Sequence, residues 1–529
     1  MVKQSVILSF LIVSGATVLS RVCGFFREAS LAAVYGASGE MDAFLVALSI
    51  PDILFSVVGA GIATIAVPVY VKKLAQGRCR EGCRAMNNLL NTHIIITAFM
   101  TGICFLFAPF WVSLIAPGFP PEWSALAVKL LKIMSPSIIL MVLVRLFTGI
   151  LQAHEDFTAQ ALVGLPFNLT IIAGVIVFGS SYGISAAAVG VVAGFAGQSL
   201  MLVPSLCRTG YRYEPVVDWR DTELRKIAAL LIPVIMGTMM TDLNFLVQRV
   251  LGSGLPLGSI AALNYAQKLV SLPNGILVAS LLQVIYPVLS RQAALVELQP
   301  GEKPAAGEYE QFRAVAARGA TGINFMLSPL ITGLIALSFP LTRLAYQRGV
   351  FDEHATYLTS TGVIFFAAGL WGLSQRQLLN SAFYALEDTR TPMVTTITAV
   401  VINIVMSFSL VGRLGLGGLA LADSLTNTIL AFVSFGLLRR RLSGIHGAAI
   451  SFAMARMLLA AALSGMLMGW VYSMTIAFPV TSGTIFLALR IGISWMAGFT
   501  FYLGLCALLG VREVKMLKEM FNRRRDRFF

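Results

Sequence analysis

The chain has little charge and few histidines. Only 12% of its 529 residues are Asp, Glu, Lys or Arg, and only four are histidine. Soluble proteins carry roughly 25% charged residues, so this composition excludes an ordinary soluble protein. Neither a Walker loop nor an HExxH motif occurs, and the histidines fall in separate segments. The sequence therefore predicts a protein that is not an enzyme and has no hydrolytic motif.

Cysteine is also sparse, and basic charge is not organised for nucleic acid. The six cysteines form no CxxC pair and no Cys/His spacing of the kind that binds zinc. The net charge of +14 has no basic patch interleaved with aromatic residues. We therefore expect reduced thiols, no cofactor and no nucleic-acid partner, and we attribute the basic excess to membrane topology.

Long apolar runs fill most of the chain. Hydrophobic residues make up 57% of it, and the mean hydropathy is +0.82. About 20 apolar residues suffice to cross a bilayer. The sequence predicts an all-α polytopic membrane protein of about 14 transmembrane helices. They are expected near 5–35, 42–71, 89–115, 125–152, 159–179, 183–206, 226–249, 259–289, 319–341, 357–384, 391–411, 415–438, 449–473 and 483–510.

Positive charge follows a pattern along these spans. The connections after the second, sixth and twelfth spans are rich in Lys and Arg, whereas the opposite connections are short and nearly uncharged. The positive-inside rule then places both termini in the cytoplasm. The segment 511–529 alternates apolar and basic residues, which predicts an amphipathic helix on anionic headgroups.

An internal repeat divides the chain. His154-Glu155-Asp156 after the fourth span corresponds to Leu386-Glu387-Asp388 after the tenth. Because the offset is an even number of spans, the halves have the same orientation, as in transporters built from parallel repeats. We expect two six-helix lobes around a central cavity. The predicted parts are 1–206, 222–438, an appended helix pair at 449–510 and the tail at 511–529.

The first span is interrupted by charge. It contains Ser20-Arg21-Val22-Cys23-Gly24-Phe25-Phe26-Arg27-Glu28. An ionisable side chain within a span costs at least about 2.5 kcal/mol unless it lines a cavity or has a partner. On a straight helix Arg21 and Glu28 share a face, but Arg27 lies about 120° away. Either Gly24 breaks the helix as a hinge, or Arg27 serves another face.

Four motifs together resemble the MurJ/MviN family of lipid II flippases, within the superfamily that includes MATE exporters. They are the charged run of the first span, Asp42-Ala43-Phe44 with Ile50-Pro51, Tyr265-Ala266 with Lys268 and Pro273, and Ala385-Leu386 with Asp388-Thr389-Arg390-Thr391-Pro392. The resemblance extends from the first span to the fourteenth. It implies an alternating-access flippase in the bacterial inner membrane that moves an undecaprenyl-diphosphate-linked precursor, lipid II, from the inner to the outer leaflet for peptidoglycan synthesis.

The resemblance also implies the site. Arg21, Arg27 and Lys268 match positions whose basic side chains face the cavity in the family, and arginine matches phosphate oxygens with a bidentate fork. We add Glu28 and Asp42 as acidic partners in the substrate-binding set. This chain lacks the basic pair that relatives carry after Pro51. A different lipid-linked oligosaccharide, of O-antigen or teichoic type, is therefore the alternative cargo.

A second polar set predicts an ion site in the C-terminal half. Carboxylate, amide and hydroxyl oxygens that suit Na⁺, or a proton relay, occur at Asp242, Asn403, Asp423 and Thr426. Hydrogen bonds between helices are the alternative explanation. With no ATPase motif, an ion gradient or the membrane potential is the expected energy source. A MATE-like drug exporter would need a more acidic cavity than these residues indicate. We also expect the protein to act as a monomer.

Overall fold

The computed structural model describes residues 2–61, 67–221, 239, 242–295, 309–442, 444, 447–476 and 483–514. Within these ranges every regular element is a helix. Ten of the described helices are long and apolar enough to cross a membrane, or eleven if a pair bent by 43° at 121–153 counts as one span. The all-α membrane fold is confirmed. The count of fourteen stays a prediction, because most of the predicted seventh span lies outside the described residues.

The chain divides into two compact units. The first comprises Met1–Ala261 with Arg348–Asp352, and the second comprises Ala262–Gln347 with Glu353–Phe529. The division predicted from the repeat, with an appended helix pair, remains a prediction. Most of the predicted tail, from residue 515 onward, lies outside the described residues.

The first unit contains the helices that carry most of the predicted site. They are α1 (Val2–Tyr35), α2 (Gly39–Gly61), α3 (Val67–Ala75), α4 (Cys79–Leu106), α5 (Ala108–Ile115), α6 (Pro121–Met134), α7 (Ser137–Ala153), α8 (Phe157–Leu162), α9 (Gly164–Ala173), α10 (Gly179–Tyr182), α11 (Ser185–Arg208) and α12 (242–253). A π-helical turn, Gly174–Phe178, joins α9 to α10.

The helix α13 (Ser259–Pro273) begins at the end of the first unit and continues into the second. It ends at Pro273, whose ring cannot donate a backbone hydrogen bond, and a π-helical turn, Asn274–Val278, follows. The remaining helices are α14 (Ala279–Ala294), α15 (Glu310–Ala336), α16 (Ser338–Tyr346), α17 (Glu353–Ala385), α18 (Arg390–Leu414), α19 (Leu416–Arg441), α20 (Gly447–Ile476) and α21 (Thr484–Leu508).

The repeat motif has the same local structure in both units. Glu155 and Glu387 are the two described non-glycine residues with positive φ, at 62° and 58°. The next residue caps the following helix in each case: Asp156 accepts from the Ala159 N–H at 3.3 Å, and Asp388 accepts from the Thr391 N–H at 3.0 Å. The sequence correspondence therefore reflects one turn built twice.

Asp388 makes more contacts than its counterpart. Its Oδ2 accepts hydrogen bonds from the Thr391 hydroxyl at 2.7 Å and from Arg441 at 2.6 Å. Burial alone would raise the pKa of this carboxyl, but the Thr391 hydrogen bonds and the Arg441 charge outweigh burial and lower it. The loop is thus tied to the end of α19 by an ionised carboxylate.

A ladder of asparagines holds the segment after α11. Asn87, Asn88 and Asn91 of α4 donate to backbone carbonyls of residues 212, 218, 214 and 216 at 2.8–3.2 Å. In return, Asn88 accepts from the Asp218 N–H at 2.7 Å. Since the side chains satisfy a backbone that belongs to no helix, this connection is fixed on the first unit.

Large apolar side chains remain exposed along the helices. Leu508 is 84% exposed, Ile485 75% and Met496 73%. Exposed apolar surface of this extent on helices long enough to span a bilayer is the surface expected to face lipid tails.

Candidate substrate-binding site

Helix α1 carries four predicted residues and is unbroken at Gly24. It runs continuously from Val2 to Tyr35, so the expected break is not present. A Cβ placed on Gly24 would lie 3.8 Å from the side chain of Asn168, which is ordinary contact. Because the helix stays regular, Arg27 points away from the face of Arg21. Of the two alternatives that the sequence left open, this is the one in which Arg27 serves another face.

Arg27 is held by three neighbours. Its guanidinium pairs with Glu28 Oε1 at 2.5 Å and donates to Asn168 Oδ1 at 3.1 Å. It also lies 5.3 Å from the ring centroid of Phe167, within cation–π range. The side chains of Arg27 and Glu28 are only 17% and 7% exposed. Arg27 is therefore a positioned cation whose charge is partly neutralised by Glu28.

Asn168 joins α9 to α1 at two levels. Besides accepting from Arg27, its Nδ2 donates to the Ser20 carbonyl at 3.2 Å. The close approach depends on Gly164, because a Cβ there would lie 2.2 Å from Ser20 Oγ. Sequence reasoning missed Asn168, although an amide within an otherwise apolar span was an available signal.

Arg21 has a different environment. It is exposed and borders a pocket of about 530 Å³ that is also lined by Ser20, Gln152 of α7 and Gln160 of α8. No ion pair or hydrogen bond of the Arg21 side chain occurs among the described residues. The pocket thus offers one unneutralised cation surrounded by amide and hydroxyl groups.

Asp42 makes the contacts of a helix cap. The residue is 2% exposed. Oδ2 accepts from the Gly258 N–H and Oδ1 from the Ala261 N–H, both at 2.7 Å. The first turn of α2 is thereby fixed to the start of α13, and Arg249 of α12 interacts electrostatically with the same carboxylate. In this structure Asp42 joins helices through backbone N–H groups, with no surface turned to a substrate.

Gly258 allows the backbone conformation that this cap requires. Its φ is +88°, and a Cβ there would lie 2.1 Å from the Ala37 carbonyl oxygen. Only glycine fits such a position without strain, so the backbone can approach α2 closely enough to donate to Asp42.

Lys268 lies on α13 in the second unit. Its side chain is exposed, and it forms no ion pair with any residue that the structure describes. It is thus a free cation, like Arg21 and unlike Arg27.

The predicted ion-site residues occur in both units. Asp242 belongs to the first, where it accepts a hydrogen bond from Ser56. Asn403, Asp423 and Thr426 belong to the second, and Asp423 Oδ2 accepts from Asn427 at 3.1 Å. Asn403 Nδ2 and Thr426 Oγ1 are buried without a hydrogen-bond partner.

The described ranges contain no group of three or more His, Cys, Asp or Glu side chains that could hold a metal ion. The buried Thr426 hydroxyl could supply an oxygen to a cation, and the Asp423 carboxylate lies three residues before it on α19. These donors fit a small hard cation in type.

Comparison with known families gives a match along most of the chain. The family model for the lipid II flippase MurJ matches residues 31–501. The probable lipid II flippase MurJ of Vibrio cholerae is 27% identical over 530 residues, covering 97% of each chain. The lipid II flippase MurJ of Burkholderia cenocepacia is 25% identical, covering 93% of this chain and 98% of its own.

Solved structures agree on the fold. A lipid II flippase MurJ in an inward closed conformation superposes with a TM-score of 0.77 at 24% identity, covering 94% of this chain and 98% of its own. An inward-facing MATE family multidrug transporter of the MOP superfamily gives 0.65 at 14% identity, covering 82% and 98%.

Proposed function

This chain belongs to the lipid II flippase MurJ family, and we infer that it flips lipid II, the lipid-linked precursor of peptidoglycan, across the bacterial inner membrane. The match to the family model over residues 31–501 carries this conclusion. The protein is a multi-pass membrane protein, and its relatives are named as flippases.

We propose that Arg21, Arg27 and Lys268 bind anionic groups of the cargo, and that Arg21 and Arg27, which point to different faces of α1, contact different parts of it. A diphosphate cannot cross hydrocarbon unless fixed cations in a wet site replace its hydration. Arg27 supports this role through its positioned fork, while Arg21 and Lys268 supply charge that no described carboxylate neutralises. Glu28 orients Arg27, and Asp42 acts indirectly by fixing α2 to α13.

The cationic character also bears on the alternatives. A drug exporter for cationic compounds would be expected to place free carboxylates in its cavity, whereas Glu28 and Asp42 are both buried and engaged. Another lipid-linked oligosaccharide shares the diphosphate chemistry, so it is the second candidate cargo.

The direction and energy of transport are further proposals. The basic connections after the second, sixth and twelfth spans support cytoplasmic termini and export to the outer leaflet. We propose that an ion gradient or the membrane potential drives the cycle of a monomer, without hydrolysis. A cysteine introduced near Lys3 should then resist an impermeant thiol reagent added to intact cells.

Rescue of a bacterium depleted of its lipid II flippase tests the function. We expect the unmodified chain to restore growth and the Arg27→Ala variant to fail at equal membrane abundance. Arg413→Ala is the matched control, because it removes an exposed arginine at the end of α18 and should rescue fully. Failure of the unmodified chain, with insertion verified, would contradict lipid II as the cargo and favour another lipid-linked glycan.

A further inference from the structure

A second basic pocket lies in the second unit, and none of the residues assigned to cargo lines it. It has a volume of about 450 Å³ and opens between α15, α20 and residues 510–513. Its charged lining consists of Arg313, Arg318, Arg456, Arg512, Glu310 and Glu513. Four cations against two carboxylates leave an excess of positive charge, in a space the size of a small-molecule site.

Two of the arginines that line the pocket have guanidinium groups held in place by neighbouring residues. Arg313 donates to the Leu442 carbonyl, and its Nη1 lies 3.7 Å from Glu310 Oε2. Its side chain is 11% exposed, and its Nε is buried without a hydrogen-bond partner. Arg456 donates to the Leu509 carbonyl at 2.9 Å and lies 4.0 Å from the centroid of the Phe452 ring. Both guanidinium groups are thus held in place before any ligand arrives.

The other two arginines are unneutralised. The guanidinium groups of Arg318 and Arg512 are exposed and have no ion pair or hydrogen bond within the described part of the chain. Arg318 lies about 12 Å along α15 from Glu310. Arg456 lies about 14 Å along α20 from Gly447. Both helices are apolar enough to cross a membrane, and these arginines lie in the N-terminal third of each helix.

The carboxylates do not cancel this charge. Glu310 is 55% exposed and already faces Arg313, so it lies at the rim. A phosphate in the pocket would have the free forks of Arg318 and Arg512 and the positioned guanidinium groups of Arg313 and Arg456 in the same lining. Arginine forks bind phosphate oxygens in pairs, which makes this set a better match for phosphate than for a carboxylate or a neutral headgroup.

We propose that this pocket binds the phosphate headgroup of an anionic membrane phospholipid. With the sidedness proposed above, the lipid belongs to the cytoplasmic leaflet. The apolar helices beside the pocket accommodate its acyl chains, as the exposed Phe452 illustrates. The ligand is thus a structural or regulatory lipid, distinct from the transported one.

Lipid binding to the full-length protein tests the proposal. The protein in detergent would be titrated with dioleoylphosphatidylglycerol and with dioleoylphosphatidylcholine, and bound lipid counted by native mass spectrometry. We expect preference for phosphatidylglycerol. The double variant Arg318→Ala with Arg512→Ala should weaken its binding about 25-fold, since each arginine near an anionic headgroup contributes about fivefold.

Two control variants distinguish binding in the pocket from non-specific attraction by surface charge. Arg439→Ala with Arg440→Ala removes two exposed arginines at the end of α19 that do not line the pocket, and binding should stay within about twofold. The double lysine variant, Arg318→Lys with Arg512→Lys, keeps the charge but loses the forks. It should bind with intermediate affinity, which also controls for misfolding of the alanine pair.

Two results would overturn the proposal. One is equal binding of both lipids, or an equal loss of phosphatidylglycerol binding in the Arg318/Arg512 variant and in the Arg439/Arg440 control variant. The other is saturable binding of inorganic phosphate at millimolar concentration that abolishes phosphatidylglycerol binding and depends on Arg318 and Arg512, since the site would then serve a soluble anion.

Discussion

The link between Asn168 and Arg27 should be measurable as a coupling energy. Replacing Asn168 by leucine keeps most of the side-chain volume but removes the acceptor for Arg27 and the donor to the Ser20 carbonyl. A hydrogen bond to a charged group contributes about 1.5–3 kcal/mol and a neutral one about 0.5–1.5 kcal/mol. We therefore expect Asn168→Leu to lower the free energy of unfolding by about 2–4 kcal/mol.

A double-mutant cycle isolates the part that belongs to Arg27. Free energies of unfolding would be measured by SDS titration in mixed micelles for Asn168→Leu, Arg27→Met and the double variant. The expected coupling is about 1.5–3 kcal/mol, because this bond is charge-assisted. Asn380→Leu is the control: Asn380 Oδ1 is buried without a partner, so its removal should cost little.

The cycle also bears on transport. If Asn168 positions Arg27, then Asn168→Leu should reduce rescue of the depleted bacterium even in cells where its abundance equals that of the unmodified chain. A coupling energy below about 0.5 kcal/mol, the usual error of additivity, would refute the reasoning, as would full rescue by Asn168→Leu.

Four further predictions concern individual side chains or pairs of them. Asp42→Asn should cost about 2–4 kcal/mol in the same SDS titration, because an amide offers one acceptor to two backbone N–H groups; an unchanged midpoint would contradict the cap. Asp388→Ala should cost about 1 kcal/mol at pH 7. Because the folded-state pKa of this carboxyl is lowered from 3.8, the difference in free energy of unfolding between the variant and the unmodified protein should shrink as the pH falls below 3.8 and through the lowered pKa. A difference that does not change with pH would contradict the role of the ionised carboxylate. Lys268→Arg should rescue growth and Lys268→Ala should not; rescue by both would remove Lys268 from the site. Asp242→Asn with Asp423→Asn should abolish any sodium dependence of transport at clamped potential, and sodium-independent transport by the unmodified protein would leave protons or the potential as the driving force.

The sequence was sufficient for the parts of the fold that local chemistry decides. Apolar run length set the helices, so the predicted span at 183–206 is found as Ser185–Arg208 and the one at 391–411 as Arg390–Leu414. The paired turns at Glu155 and Glu387 were also accessible, because a short polar motif dictates a turn and a cap within a few residues.

Contacts between distant segments were not accessible. The partners of Asp42 are backbone N–H groups more than 200 residues away, and a backbone donor has no side-chain signature in a sequence. In the sequence, only Gly258 indicated where the backbone donors to Asp42 lie. The asparagine ladder of α4 was hidden for the same reason, since it binds carbonyls of the segment after α11.

The two arginines of α1 differ in a way that bears on how a flippase must both bind and release its cargo. Arg27 is paired with Glu28 at 2.5 Å, so the pair is close to neutral and attracts an anion weakly from a distance. Arg21 has no described counterion and supplies long-range attraction. Under the assignment proposed above, free charge favours capture, whereas the Glu28 carboxylate would compete with a bound phosphate for the Arg27 fork. Because Glu28 directly follows Arg27 in the chain, the proposed site would hold a diphosphate without binding it too tightly to leave.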